Sequence, residues 1–248
     1  MKIFGLIGNP IGHSLSQQYF REKFRREQIM DCTYELYTMN HLTGLLPLLM
    51  QSVEISGLNV TIPFKVEVID YLDELDGLAE AVGAVNCISI NRLSGRPYLV
   101  GYNTDVYGFE QSIRPRLDRP HLNALVLGTG GSSKAVSFAL QRMGIHVTKV
   151  SRCPGSENEI GYNSLTGNMM AQYTLIVNTT PLGMAPDTEN CPPIPYEFLS
   201  GDHLLIDLIY NPLETLFIKR GKAFGAVAMN GMEMLYLQAE KSWEIWSR

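Results

Sequence analysis

Ala124-Leu-Val-Leu-Gly-Thr-Gly-Gly-Ser-Ser133 is an apolar run that turns into a glycine-rich bend, and the apolar-periodic stretch 135–143 follows it directly. The pattern predicts a strand, a tight turn and a helix. A turn of this kind offers free backbone N–H groups and the positive end of a helix dipole to a pyrophosphate. Gly128, Gly130, Gly131, Ser132 and Ser133 are therefore candidate cofactor-binding residues. Gly144 suits the C-terminal stop of the helix, and 145–150 reads as a second strand, which completes a strand–helix–strand unit. By itself the glycine string is a weak signal, and its third position holds Ser133 in place of Gly or Ala. About 20 residues beyond the first glycine, where an acidic side chain would take the ribose hydroxyls of NAD, the chain has Ser151-Arg152. A guanidinium there suits the 2′-phosphate of NADP; the competing reading is an ordinary solvated arginine.

The turn begins past the middle of a 248-residue chain, so a whole domain's length precedes it. With 45% hydrophobic residues there is material for real cores, and the length allows one large or two modest domains. A net charge of −5, with no basic run longer than two residues, argues against a nucleic-acid partner. No segment approaches the roughly 20 apolar residues that span a bilayer, and the N-terminal apolar stretch breaks too early for a secretion signal. The expectation is a cytoplasmic protein with a small-molecule substrate and no membrane partner. Cys32, Cys87, Cys153 and Cys191 form no Cys-x-x-Cys pair, and no zinc site or disulfide framework is expected. Monomer and homodimer both remain open.

Short apolar runs at 3–7, 33–38, 58–62, 85–90 and 98–102 read as strands, and 17–27, 42–51, 65–72 and 78–81 as helices. Asn91-Arg-Leu-Ser-Gly-Arg-Pro97 reads as a turn between two strands, which predicts a hairpin at the edge of a mixed sheet. The second half continues with strands at 175–178, 204–208 and 226–229 and a helix at 215–224. Between Arg152 and Leu175, where a crossover helix belongs, the composition predicts a loop or at most a short helix. A long amphipathic helix at 232–246 ends the chain. The fold class is α/β: an N-terminal mixed-sheet domain at 1–103, completed by the helix returning at 231–248, and a Rossmann-like doubly wound parallel-sheet domain at 104–230.

Ser14, Ser16, Asn59, Thr61, Lys65, Asn86 and Asp105 all fall at expected strand ends or in the turns beside them, where open α/β sheets bind ligands. Each has a plain alternative: Ser14 and Ser16 as caps of the next helix, Lys65 as a surface lysine, Asp105 as an N-cap.

Together with the glycine turn, seven further stretches give the chain a recognisable pattern: Gly8-Asn-Pro-Ile-Gly-His-Ser-Leu-Ser16, Asn59-Val-Thr-Ile-Pro-Phe-Lys65, Gly83-Ala-Val-Asn86, Gly101-Tyr-Asn-Thr-Asp105, Asn178-Thr-Thr-Pro-Leu-Gly-Met184, Asp207-Leu-Ile-Tyr-Asn-Pro212 and Gly231-Met-Glu-Met-Leu-Tyr-Leu-Gln238. From end to end it resembles the shikimate dehydrogenases. The resemblance implies an oxidoreductase of aromatic amino acid biosynthesis that reversibly reduces 3-dehydroshikimate to shikimate with NADPH. It implies that Ser14, Ser16 and Tyr210 meet the substrate carboxylate, that Asn59, Thr61, Asn86, Asp105 and Gln238 bind ring hydroxyls, and that Lys65 and Asp105 form the catalytic pair. For the cofactor it adds Thr179, Thr180 and Gly231 to the glycine turn, Ser151 and Arg152; no metal is implied.

Two departures stand out. NADP-specific members tend to carry a second base three residues after an Asn-Arg-Thr; this chain has Ser151-Arg152-Cys153 and then Ser156, so NAD is a possible cofactor besides NADP. The short segment after it puts cofactor affinity in doubt more than the chemistry. Two alternatives stay open: a quinate or shikimate dehydrogenase using NAD or NADP, and a non-catalytic dinucleotide or metabolite sensor of the same fold. A sensor has no need of the Lys65 and Asp105 pair.

Overall fold

The computed structural model describes residues 1–12, 14–93, 95–117 and 121–248. The chain divides into two compact units, Met1–Asp105 with Gln238–Arg248, and Val106–Leu237.

In the first unit the elements are β1 (Lys2–Gly8), α1 (Ser16–Arg26), β2 (Cys32–Thr38), α2 (Leu45–Gln51), β3 (Ile55–Val60), β4 (Glu74–Leu75), α3 (Gly77–Val82), β5 (Cys87–Leu93) and β6 (Arg96–Tyr102). The strands form a mixed sheet in the order β2-β1-β3-β5-β6-β4, antiparallel only where β5 meets β3 and β6. Both faces of this sheet are covered, and β1 shows how the sequence arranges it. Phe4 and Leu6 point into a core with Phe20 and Phe24 of α1 and with Trp246 near the chain's end. Ile3 and Ile7 point the other way, into a core with Leu45 and Leu49 of α2, Val68 and Ala79. The alternation is the period-two geometry of a strand, and both halves of it are apolar because neither face meets water.

α4 (Asp105–Ile113) opens at the last residue of the first unit's leading segment and continues in the second, followed by β7 (Asn123–Leu127), α5 (Gly131–Arg142), β8 (His146–Ser151), β9 (Glu159–Gly161), α6 (Gly167–Gln172), β10 (Leu175–Asn178), β11 (Leu204–Asp207), α7 (Leu216–Ala223) and β12 (Val227–Met229). These strands make an all-parallel sheet in the order β12-β11-β10-β7-β8-β9. Counted from β7, the chain first builds outward through β8 and β9, then returns to the other side of β7 through β10 and β11 to β12. The order therefore reverses between β7 and β10, the place where doubly wound sheets bind ligands. α8 (Met232–Trp246) closes the chain, and its residues from Gln238 onward belong to the first unit. There Trp246 stacks on Phe4 with ring centroids 4.9 Å apart, and its Nε1 donates to Ile88 O at 2.9 Å.

The structure corrects several local expectations. The helix expected at 65–72 is only a 3-10 turn at Glu67–Tyr71, because Pro63 and the docking of Phe64 hold the preceding backbone in a turn. The 42–51 helix is split into a 3-10 turn at Leu42–Gly44 and α2. β5 and β6 form the expected hairpin, but β4 pairs outside β6 and occupies the edge; Ser94 of its turn lies outside the described residues. The crossover at 153–174 holds not only the short helix α6 but an additional strand, β9, pairing with β8 through Val150 and Ile160. Its three residues were too few to show a period. Among the described residues no helix is long and apolar enough to cross a membrane.

Candidate active site

In the first unit, β1 and β3 run parallel with Ile7 opposite Val60, so both strands leave the sheet at the same edge. Thr61 N donates to Ile7 O and Asn9 N to Ile62 O, each at 2.9 Å, which stitches the two departing turns together. Because β5 runs antiparallel to β3, its beginning lies at that edge too, and Asn86 stands just ahead of it. β6 returns antiparallel to β5 and places Asn103-Thr-Asp105 there. Sheet register thus gathers Asn59, Thr61, Lys65, Asn86 and Asp105.

Lys65 Nζ donates to Asp105 Oδ2 at 2.5 Å, in a setting where the lysine side chain is 13% and the carboxylate 5% exposed. The other carboxylate oxygen, Oδ1, accepts from Asn86 Nδ2 at 2.9 Å. Lys65 is therefore no solvated surface lysine, and both oxygens of Asp105 are engaged by side chains. The lysine is held by its neighbours: Phe64 is buried, and Lys65 O accepts from Val85 N at 2.7 Å.

Behind this pair lies a buried polar network. Asn86 Nδ2 also faces Thr104 Oγ1 at 2.9 Å and Gln238 Oε1 at 3.3 Å, while Asn86 Oδ1 accepts from Thr104 N at 2.6 Å. Asn59 Oδ1 accepts from Tyr34 OH at 2.9 Å, and Asn59 Nδ2 donates to Asn86 O at 3.1 Å and to Ser242 Oγ at 2.9 Å. Gln238, the first residue of the second segment of this unit, joins the network from α8. Tyr34, Thr104 and Ser242 were missed in the sequence. Ser242 had a signal, since it lies four residues after Gln238 and so on the same helix face.

Neither Ser14 nor Ser16 caps α1 with its side chain; the N-cap is Leu15, and Ser14 Oγ instead accepts from Ser16 N at 3.3 Å. The hydroxyls of Ser16, which is buried, and Thr61, half-buried, have no hydrogen-bond partner among the described residues. Hydroxyls left this way at the end of parallel strands are available to a ligand.

In the second unit the glycine turn follows β7, and Thr179 follows the neighbouring β10. Gly128 has φ +110°, and a Cβ there would lie 2.9 Å from Thr179 Oγ1. Gly130 is the extended N-cap of α5, without a side-chain cap, and a Cβ on it would meet no protein atom within 4 Å. The protein's own packing therefore gives no reason for that glycine, and the space beside the helix N-terminus is open. Ser133, the departure from the fingerprint, is fully buried and donates from Oγ to Gly128 O at 2.7 Å. Gly131 and Ser132 form the start of α5.

Thr179 Oγ1 donates to Leu127 O at 2.6 Å, and Thr180 donates from both N and Oγ1 to Asn178 Oδ1 at 3.0 and 2.7 Å. Asn178 is itself fixed by a bond from Nδ2 to Asp207 Oδ1 at 3.0 Å, and Asp207 also accepts from Ile209 N and Thr215 Oγ1. Burial pushes the Asp207 carboxyl up to about 6, although the bonds from Thr215, Ile209 and Asn178 favour its charged form. Asp207 and Thr215 thus brace the loop after β10, roles not assigned from sequence. Beyond β8, Ser151 Oγ accepts from Cys153 N at 3.2 Å, and Arg152 and Ser156 are exposed. Tyr210, half-buried, follows β11. Gly231 is required by its surroundings, since a Cβ would lie 2.1 Å from Leu208 O. Among the cysteines, burial raises the Cys87 thiol to about 12 and the Cys32 thiol to about 11, which leaves both protonated and unreactive at neutral pH.

Residues 6–88 match the family model of the shikimate dehydrogenase substrate binding domain. A shikimate dehydrogenase (NADP(+)) of Methanococcus aeolicus is 36% identical, over 99% of this chain and 92% of the relative. Shikimate dehydrogenase 1 of Peptoclostridium difficile has a similar structure, with a TM-score of 0.88 and 33% identity over 100% of this chain and 92% of that one. The shikimate 5-dehydrogenase of Thermus thermophilus, solved in complex with NADP(H) and shikimate, gives a TM-score of 0.83 at 30% identity, over 100% and 94%.

Proposed function

The chain belongs to the shikimate dehydrogenase family, and on that footing we propose that it is an NADP-dependent oxidoreductase interconverting 3-dehydroshikimate and shikimate. The observation that carries the reading is the buried Lys65–Asp105 ion pair, anchored by Asn86 at the strand edge that also carries the hydroxyls of Ser16 and Thr61. Keeping a charged pair out of water carries a desolvation cost, for which a catalytic task gives a reason and a sensor gives none.

The turn after β7 fits the cofactor: Gly128 and Gly130 leave the room a side chain would take, and the N-terminus of α5 faces it without a cap. Gly131, Ser132 and Ser133 open α5 behind that turn, Thr179 and Thr180 wall it from β10, and Arg152 with Ser151 receives the 2′-phosphate. Gly231 keeps the backbone close to Leu208. Bound there, NADPH supplies the hydride.

As the carbonyl carbon of 3-dehydroshikimate gains that hydride, its oxygen gains negative charge, and Lys65 Nζ delivers a proton to it; in the oxidative direction the hydroxyl proton returns to the lysine. Asp105 keeps the ammonium in place and accepts from a ring hydroxyl. Ser14 and Ser16 take the substrate carboxylate, and Thr61 and Gln238 take ring hydroxyls. Asn59 and Asn86 have given their amide hydrogens to the protein, so toward substrate they act as acceptors. A substrate without the matching hydroxyls would leave these groups unpaired, at a cost of about 1–3 kcal/mol each.

The test is nicotinamide absorbance with purified protein, shikimate or quinate, and NADP+ or NAD+. Shikimate with NADP+ gives the highest kcat/KM. Absence of turnover in all four combinations, although both ligands bind, overturns the reading in favour of a sensor.

A further inference from the structure

Ser242, on the C-terminal helix, sits where the two amide side chains of the substrate edge are joined, and the directions of its hydrogen bonds with Asn59, Gln238 and Thr104 follow from those neighbours. Asn86 O is a carbonyl and can only accept, so the atom of Asn59 facing it at 3.1 Å is the amide nitrogen. That nitrogen also reaches Ser242 Oγ at 2.9 Å, so there Ser242 is the acceptor. Gln238 O, another carbonyl, lies 2.9 Å from Ser242 Oγ and takes its only proton. A bond in the contact between Thr104 Oγ1 and Ser242 Oγ at 3.2 Å then runs from Thr104, whose hydroxyl has a second, longer acceptor in Gln238 Oε1 at 3.5 Å. Thr104 Oγ1, having given its proton away, accepts from Asn86 Nδ2. Ser242 thus accepts from Asn59 and Thr104 and donates to Gln238 O, it also lies within hydrogen-bond reach of the Cys87 thiol, and it is fully buried.

From this we infer that Ser242 is a positioning residue of the substrate site. It sets the orientation of the Asn59 carboxamide directly, and through Thr104 it fixes Asn86, whose other hydrogen holds Asp105 against Lys65. The helix carbonyl of Gln238 is the sink that gives the chain of bonds its single direction. Without the Ser242 hydroxyl, one hydrogen of Asn59 loses its acceptor inside a buried site, and the proton of Thr104 keeps only Gln238 Oε1, at 3.5 Å. The Asn59 amide is then held only by Tyr34 OH and Asn86 O, and the acceptor it presents to a ring hydroxyl is less firmly fixed.

The inference rests on the proposed function for its kinetic consequence but not for its structural one, and the experiment separates them. Ser242→Ala and, at the opposite end of Asn59, Tyr34→Phe are compared with the wild-type chain. The readouts are kcat, KM for shikimate and for NADP+, and solvent exchange of the Asn59 side-chain amide by nitrogen-15 NMR. For Ser242→Ala we expect about a tenfold rise in KM for shikimate, with kcat within threefold and KM for NADP+ unchanged, and at least tenfold faster exchange of the Asn59 amide. Tyr34→Phe raises KM for shikimate in the same way, and the double variant shows less than the product of the two effects. A Ser242→Ala protein that keeps the wild-type KM, or one whose Asn59 amide exchanges at the wild-type rate, overturns the role. If the wild-type chain turns over no shikimate, the proposed function fails and the amide exchange alone decides the place of Ser242.

Discussion

Replacing Lys65 by alanine separates what the ion pair does for the reaction from what it does for the fold. With Nζ 2.5 Å from Asp105 Oδ2 and the carboxylate 5% exposed, the variant leaves a charge in a dry site. Removing one member of a buried pair costs about 3–5 kcal/mol. Asp105 keeps the bond from Asn86 Nδ2, and some water reaches the lysine position, so the lower end, about 3 kcal/mol, applies. Loss of the proton donor slows turnover by about a hundredfold or more, at least about 2.7 kcal/mol in the barrier, while KM for shikimate changes little. The two losses part company in the double variant Lys65→Ala/Asp105→Ala. With no stranded carboxylate, it recovers most of the stability lost by the single variant, yet it remains as inactive. Urea unfolding followed by circular dichroism measures the first quantity, and nicotinamide absorbance with shikimate and NADP+ the second. A Lys65→Ala enzyme within threefold of the wild-type kcat would refute the catalytic assignment. A double variant markedly less stable than Lys65→Ala would refute the account of a buried, uncompensated charge.

Three further outcomes are expected. Gly128→Ala forces a side chain onto a backbone at φ +110° and into contact with Thr179 Oγ1. It should raise KM for NADP+ at least tenfold in the absorbance assay and leave the affinity for shikimate, by calorimetry, within twofold. Asp207 titrates near 6 in the folded chain against 3.8 when unfolded, so folding takes up a proton between those values. Its contribution to stability is complete below pH 4 and lost as pH rises through 6, a span of about 3 kcal/mol. Unfolding curves at pH 4 and pH 7 should therefore show wild type gaining on Asp207→Asn by about that amount at the lower pH, and equal differences at both would contradict it. Arg152→Ala should raise KM for NADP+ about tenfold or more and leave KM for NAD+ unchanged, whereas Ser156→Arg, supplying the missing second base, should shift the ratio toward NADP+; equal effects on both cofactors would remove Arg152 from the 2′-phosphate.

The second sheet was legible because its signals are local. A continuous apolar run such as Leu175–Asn178 says by itself that both faces are covered, and the glycines after Leu127 mark the turn that follows. Long periodic elements could also be read, and α8 spans 232–246 as expected from its pattern. Short elements could not. β4 has two residues and β9 three, too few for an alternation to repeat, and only pairing with β6 and β8 makes them strands. The 3-10 turn at Glu67–Tyr71 carries an amphipathic pattern that fits a helix equally well, and the backbone leaving Pro63 decides against it.

The candidate site divides along the same line. From sequence alone came the residue types at strand ends, Ser14, Ser16, Thr61, Lys65 and Asp105 among them, because a polar side chain after an apolar strand is visible in one dimension. Which of these groups are committed to one another was decided only in three dimensions. Lys65 and Asp105 are 40 positions apart, Asn86 and Gln238 are 152 apart, and Asn59 and Ser242 are 183 apart. Hydrophobic period tells a residue which face it occupies but never which partner it meets there. Partners are set by strand register and by the packing of α8 onto the first sheet, and those are properties of the folded chain.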